Sequence, residues 1–283
     1  MTDIILPSKE DKEQIDNLVS SLFTQAKEKD AAEYIASVKY FFDMISLHLK
    51  SPNDELGETI NQVFELTQST ITGNFSFKLF SYLYVQIFES ENWLDLSFNL
   101  LSIINGQCCN RKPFKKIITS ENKLNARMEI ERILKKTISN DDQIEQIRVN
   151  INRVSNPYTV VQEKINKIAQ LSRQVNFESL GKLLKKLYVN DYRNDFIHSN
   201  YVIYKGFFNL VKAQKNISLE ALMNITSLTA YLFIVIAGKA NDEIEKIQTN
   251  GSLEYKGKCG SITVSFLSDG TLEQKSAMLC ENI

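Results

Sequence analysis

The chain has 283 residues, enough for one large domain or two smaller ones with a real hydrophobic core. Apolar residues make up 43% of it and charged residues 24%, as in ordinary soluble globular proteins. Lys and Arg number 33 against 34 Asp and Glu. This balance excludes a strongly basic protein that coats nucleic acid indiscriminately, although a locally basic groove remains compatible with it.

The first part of the chain predicts a series of amphipathic helices. Gly and Pro are scarce, with 10 and 4 copies, which favours long helices with few breaks. Apolar residues recur at helical spacing over residues 8–27, 31–50 and 54–70. Residues 75–105 are rich in aromatic and aliphatic side chains and predict two packed helices, broken near residues 90–92. We interpret this aromatic stripe as core rather than as a cofactor pocket.

A basic, irregular segment follows at residues 106–119. Besides Pro113 it contains a run of cations, namely Arg111, Lys112, Lys115 and Lys116. The run is either a solvated loop or a contact for a nucleic-acid backbone, and the sequence leaves both interpretations open. Residues 120–138 and 141–154 then predict two charged, more polar helices, and Ser-Asn-Pro at residues 155–157 breaks the chain.

Helices return in the second half of the chain, over residues 158–174 and 177–189. A polar motif comes next, followed by residues 202–215 and by an apolar helix over residues 219–248. Within that helix, residues 221–238 carry no charge over roughly the length that spans a bilayer. Asn, Ser and Thr dilute its hydrophobicity, so we expect a buried central helix of a bundle and no membrane association.

The end of the chain changes from helical to strand-like periodicity. Residues 253–256 and 261–266 alternate as strands do, and Asp269 with Gly270 is a hairpin-turn signal. We therefore expect a small antiparallel sheet at the C-terminus of a mainly all-α protein. The predicted parts are an N-terminal helical region at residues 1–154, a helical domain at residues 155–250 and a β tail at residues 251–283.

Nothing in the sequence predicts a metal or another cofactor. The four cysteines are Cys108, Cys109, Cys259 and Cys280. They lack the Cys-x-x-Cys spacing of metal sites, and we expect reduced thiols, as in cytosolic proteins. His48 has no second ligand at metal spacing, so we interpret it as structural. Because the N-terminus lacks the basic start and apolar core of a signal peptide, we expect a cytoplasmic protein.

The polar motif at residues 191–199 carries the chemistry. It reads Asp-Tyr-Arg-Asn-Asp-Phe-Ile-His-Ser and holds one of the two histidines of the chain. Histidine is the side chain whose unperturbed pKa, about 6.5, lets it accept or donate a proton near neutral pH. Arg193 is a permanent cation whose planar fork matches phosphate oxygens. Together they indicate phosphodiester chemistry that needs no metal.

Arg193, Asn194 and His198 match the Arg-x(4–6)-His signature of the HEPN superfamily (higher eukaryotes and prokaryotes nucleotide-binding domain). The chain resembles that superfamily over roughly residues 158–248, and Tyr201 resembles the tyrosine that soon follows the histidine in some members. The resemblance implies a HEPN-type helical bundle. It also implies a homodimer whose two motifs form one composite endoribonuclease site. Members commonly act as toxins or abortive-infection effectors in antiviral defence, which admits an antitoxin or defence-system partner.

The residue types define roles in RNA cleavage by the substrate's own 2′-hydroxyl. His198 can remove the proton of that hydroxyl or protonate the leaving 5′-oxygen. Arg193 can hold the charge that builds on the phosphorus oxygens. Asn194 would orient the histidine or contact phosphate. Asp195, a candidate for substrate binding, would fix the imidazole or pair with Arg193. Such cleavage leaves a 2′,3′-cyclic phosphate, and DNA, which lacks the hydroxyl, is inert.

The sequence allows more than one interpretation of the substrate contacts and of the function itself. Tyr201 and Lys205 are candidates for substrate contact, with packing and solvation as equal alternatives. Residues five apart on an ideal helix are displaced by about 140° around its axis, so one copy of the motif is expected to need a second. The alternative function is a non-catalytic HEPN-like helical module that binds a protein or nucleotide partner, which the near-zero net charge slightly favours.

Overall fold

The computed structural model describes residues 7–49, 73–90, 92–114, 128, 160–199, 201–204, 207–212, 214–258, 260–267 and 271–278. Its helices are α1 (Lys9–Lys29), α2 (Ala31–Leu49), α3 (Gly73–Glu89), α4 (Asn92–Ile104), α5 (Val161–Gln174), α6 (Glu178–Leu187), α7 (Asn190–Ile197) and α8 (Leu219–Asn250). Its strands are β1 (Tyr201–Tyr204), β2 (Phe207–Leu210), β3 (Lys215–Ser218), β4 (Ser252–Gly257), β5 (Gly260–Phe266) and β6 (Leu272–Met278).

The predicted mainly helical fold with a small C-terminal antiparallel sheet is confirmed. The helices predicted over residues 8–27 and 31–50 correspond to α1 and α2, and the aromatic stretch forms α3 and α4 with a break where it was expected. Other predictions lie outside the described residues, namely the helices over residues 54–70, 120–138 and 141–154 and the break at residues 155–157.

Helix α8 is the central element of the core. It contacts α1, α2, α3, α4 and α6 as well as strands of both sheets. It begins at an N-cap, where the Ser218 hydroxyl accepts the Ala221 backbone N–H at 3.1 Å. The buried polar residues of its apolar stretch are Thr226, Ser227 and Thr229, whereas Asn224 is exposed. The Thr229 hydroxyl donates to the Ile225 carbonyl at 2.7 Å. Bonds of this kind allow a helix to bury hydroxyl groups at little cost.

The same helix is the one described element that is long and apolar enough to cross a membrane. Half of its most apolar window is buried within the protein. The core helix of a soluble protein also has this length and composition, so the finding is weak evidence in either direction. The expected absence of membrane association therefore stays a prediction.

Strands β1, β2 and β3 form an antiparallel sheet between α7 and α8, in the order β1-β2-β3. No strand is predicted there from the sequence. Each strand has four residues, which is too short for period-two alternation to stand out from helical patterns. Phe208 and Leu210 of β2 are buried, and β2 contacts α7. The sheet thus packs directly beside the polar motif.

The C-terminal sheet, in the order β4-β5-β6, packs on α2 and α8. Asp30, between α1 and α2, fixes its position because its carboxylate accepts the backbone N–H groups of Glu33 and Lys258, each at 3.0 Å. Gly257 allows this close approach, since a Cβ atom there would meet the Asp30 carboxylate and lie 2.7 Å from the Ala32 Cβ. The predicted division into residues 1–154, 155–250 and 251–283 stays a prediction.

Tyr84 of α3 holds the segment that leads into the motif in place through two hydrogen bonds. Its ring is fully buried, and its hydroxyl accepts the Val189 N–H at 2.7 Å while it donates to the Leu187 carbonyl at 2.9 Å. Burial raises the pKa of this phenol well above its usual value, so the hydroxyl keeps its proton for the second bond. One side chain therefore satisfies two backbone groups at the junction of α6 and α7.

We expect Tyr84→Phe to lower the free energy of unfolding by about 1–3 kcal/mol, because one buried and one partly buried backbone group lose their partner. Tyr82→Phe is the matched control, since the Tyr82 side chain is exposed and its change should stay within about 0.5 kcal/mol. Urea unfolding of both variants measures the difference. Equal stabilities would show that the Tyr84 hydroxyl contributes nothing to the junction.

Candidate functional site

The polar motif forms α7, a helix of eight residues between the Tyr84 junction and β1. Tyr192 holds the helix against the core. It is 1% exposed, its ring meets those of Tyr84 and Phe208 edge-on at 5.3 and 5.1 Å between centroids, and its hydroxyl donates to the Ser81 hydroxyl. Because Tyr192 fixes α7 against the core, the residues on the other sides of the helix have defined positions.

Arg193 lies on the partly exposed side of α7 and is engaged within the chain. Its Nε donates to Glu89 Oε1 at 3.1 Å, and its Nη2 makes an ion pair with the same oxygen. Its Nη1 donates to Asn194 Oδ1 at 3.1 Å. About a quarter of the side chain remains accessible to solvent. The guanidinium that was predicted to bind phosphate therefore has its charge compensated by Glu89.

Asn194 contacts the arginine rather than the histidine. Its side-chain oxygen accepts from Arg193, and its backbone carbonyl accepts the His198 N–H at 3.0 Å. The predicted role of Asn194 in orienting the imidazole has no contact to support it among the described residues. The alternative role, contact with phosphate, is compatible with a side chain that positions the guanidinium.

His198 is the exposed residue that ends α7. Its backbone is no longer helical, with φ −88° and ψ 7°, but its N–H still makes the last helical hydrogen bond. The step from Arg193 to His198 is thus helical, and the two side chains leave the axis about 140° apart. No described residue hydrogen-bonds the imidazole. Helix geometry therefore directs the imidazole and the guanidinium toward different sides of α7.

Asp195 lies on the buried side of α7 and is 2% exposed. It interacts with its protein surroundings. A carboxylate in this position contacts protein, and contact with RNA would require α7 to move. Its predicted place in substrate binding has no support from the position of the side chain.

Tyr201, the first residue of β1, packs against the motif. Its ring stacks on Phe208 with centroids 4.4 Å apart and on Phe196 with centroids 5.6 Å apart, at interplanar angles of 22° and 19°. These contacts agree with the packing interpretation of Tyr201, although the ring is only partly buried. Lys205, the other candidate for substrate contact, lies outside the described residues.

Metal-ligating and thiol side chains of the described segments are the other candidates for chemistry. No group of three His, Cys, Asp or Glu side chains there could hold a metal ion. Burial and a hydrogen bond with Glu33 raise the pKa of the Cys109 thiol to about 12, which makes it a poor nucleophile. Cys259 and Cys280 are outside the described residues. In the basic segment, the Arg111 guanidinium lies 4.6 Å from the Tyr40 ring centroid.

Comparison with known proteins assigns the chain to no family. No family model matches the chain, and neither a curated protein nor a solved structure is significantly similar to it. The resemblance to the HEPN superfamily therefore depends on the motif residues and their helical setting.

Two residues that shape the site are not predicted from the sequence. Glu89 pairs with Arg193 across 104 positions, and Tyr84 binds the backbone at Val189 across 105 positions. Neither has a local signal. Glu89 is one of many charged residues at helix ends, and Tyr84 belongs to an aromatic stripe that reads as core.

Proposed function

We propose that this protein is a HEPN-type, metal-independent endoribonuclease whose active site is completed by a second copy of the chain. The main support for the proposal is that solvent can reach both the imidazole and the guanidinium of α7. His198 is exposed, and the guanidinium of Arg193 is partly exposed. Because these groups lie on different sides of α7, a single chain offers RNA either the general acid-base group or the cation, but not both at one phosphate.

In a pair of chains, His198 of one and Arg193 of the other would flank the same linkage. The imidazole removes the 2′-hydroxyl proton or protonates the leaving 5′-oxygen. The guanidinium stabilises the negative charge on the phosphorus oxygens once it has left Glu89. The ion pair with Glu89 is partly exposed, and solvent screening weakens such a pair, so an RNA phosphate can compete for the arginine.

The resemblance also suggests the biological setting. We infer a cytoplasmic toxin or antiviral defence effector that acts on RNA, with an antitoxin or another defence protein as a partner. The N-terminal helices α1 to α4 would hold the dimer, shape the RNA groove or sense a trigger.

A second candidate function is a non-catalytic helical module that binds a protein or a nucleotide. The contact between Arg193 and Glu89 favours it, because an arginine neutralised inside its own chain can serve a structural role. In this function Tyr201, Phe196 and Phe208 stabilise the β1 to β3 sheet on α7, and His198 has no chemical role.

Incubation with RNA in EDTA separates the two functions. For the ribonuclease we expect cleavage without divalent ions, products that end in a 2′,3′-cyclic phosphate, and no cleavage of the same oligonucleotide with 2′-deoxyribose throughout. Mass spectrometry of the products identifies the ends. Cleavage that requires a divalent ion, or that proceeds on the deoxy substrate, would contradict the proposal. Absence of cleavage by a dimeric preparation, even with extract added as a source of activator, would favour the binding module.

A further inference from the structure

A polar cavity lies between α1, α2 and the C-terminal half of α8, away from the residues of α7. It has a volume of about 180 Å³, which is room for several water molecules. Three lysines line it, Lys27 from α1 and both Lys239 and Lys246 from α8. Ser20 and Thr24 of α1 add two hydroxyl groups. A surface so rich in donors is suited to an oxyanion.

The acidic residues of the cavity leave an excess of positive charge. Asp242 and Glu243 face three lysines, so the net charge of the lining is +1. Glu243 is buried, and its two oxygens accept from Lys27 at 2.7 Å and from Lys246 at 2.6 Å. Burial alone would raise the pKa of Glu243, but the two lysines outweigh it and hold the pKa below its usual value. The carboxylate is thus compensated, and each ammonium retains further donors.

Two donors of the cavity have no partner among the described residues. Lys239 makes no ion pair or hydrogen bond there, and neither does the Tyr34 hydroxyl. Tyr34 as a whole is 2% exposed, but its hydroxyl is not fully enclosed, so it is available to a ligand in the cavity. Burial, together with the nearby Glu243 charge, raises the pKa of this phenol, so its hydroxyl is a donor at every ordinary pH.

We propose that this cavity binds a phosphate group, either as inorganic phosphate or as the phosphomonoester of a small molecule. Lys239 and the Tyr34 hydroxyl donate to its oxygens, and Lys246 donates through hydrogens that Glu243 does not use. A cation fits less well, because Lys27 already occupies the cationic position, 5.7 Å from the ring centroids of both Tyr34 and Tyr255. This site does not depend on the ribonuclease proposal.

Isothermal titration calorimetry at low ionic strength tests the site, with inorganic phosphate and adenosine 5′-monophosphate as separate titrants. We expect saturable binding with one site per chain. Lys239→Gln should weaken it about tenfold, as expected for the loss of one charge-assisted hydrogen bond. Tyr34→Phe should weaken it in the same direction. Lys9→Gln is the control, because Lys9 is an exposed residue of α1 whose ion pair with Glu13 lies outside the cavity.

The two titrants distinguish the sources of the phosphate group. Tighter binding of the nucleotide indicates a phosphomonoester ligand, and binding of inorganic phosphate alone indicates a free anion. Circular dichroism confirms that the variants are folded. The proposal is overturned if the wild type shows no saturable binding up to about 10 mM. It is equally overturned if folded Lys239→Gln and Tyr34→Phe bind as tightly as the wild type.

Discussion

Replacing His198 by alanine is expected to reduce RNA cleavage by about 10²- to 10⁴-fold, the range attributed to one general acid-base group. The imidazole is exposed at the end of α7 and has no bond to a described residue, so its loss should not disturb the fold. Arg193→Ala should reduce cleavage by about 10²- to 10³-fold. The negative charge that builds on the phosphorus oxygens in the transition state would lose its stabilising cation. Initial rates on a labelled oligoribonucleotide in EDTA measure both effects.

His48→Ala is the control for the histidine change, since His48 is the other histidine of the chain and lies in α2. It should leave the cleavage rate unchanged. A mixture of His198→Ala and Arg193→Ala chains should recover part of the activity, because a mixed dimer retains one imidazole and one guanidinium. If cleavage persists at the wild-type rate in His198→Ala, the histidine is not the acid-base group and the ribonuclease proposal fails.

Gly181→Val is expected to lower the free energy of unfolding by about 3 kcal/mol. Gly181 lies in α6 where that helix crosses α5. A Cβ atom at this position would lie 2.5 Å from Ser172 Oγ and 2.7 Å from Ala169 Cα. The second of these is a backbone atom, so the clash cannot be relieved by rotation of a side chain. The two helices would have to separate, which would loosen the support of α7.

Gly238→Val is the matched control because Gly238 also lies inside a helix. Nothing lies within 4 Å of a Cβ atom at this position. Since Val and Gly differ little in helix propensity, the change should alter stability by no more than about 0.5 kcal/mol. Chemical denaturation of both variants gives the comparison. Similar losses in the two variants would mean that helix propensity, not the contact between α5 and α6, decides the outcome.

The two proposals concern different parts of the molecule. The ribonuclease proposal depends on α7, whose arginine must exchange Glu89 for a phosphate. The phosphate cavity depends on α1, α2 and α8, where Lys239 and Tyr34 have unused donors. Either can fail without affecting the other, since their measurements, RNA cleavage and calorimetric binding, share no variant.

The sequence by itself determined the local elements with a strong period. Helices α1 to α4 follow from apolar residues at helical spacing and from few glycines and prolines, and the C-terminal sheet follows from alternation and a turn signal. It also placed α8 in the core, because an uncharged stretch with scattered hydroxyl groups suits a buried helix. These are properties of neighbouring residues, so a single sequence contains them.

Only the tertiary structure decided how distant residues meet. The pairing of Arg193 with Glu89, the Tyr84 bonds at the α6–α7 junction and the contact between Lys27 and Glu243 join residues 104, 105 and 216 positions apart, respectively. The burial of Asp195 likewise depends on which side of α7 faces the core. The spacing of residues along one chain does not specify which surfaces come together. Tertiary packing therefore decides which side of a helix faces the core and which charged residues pair.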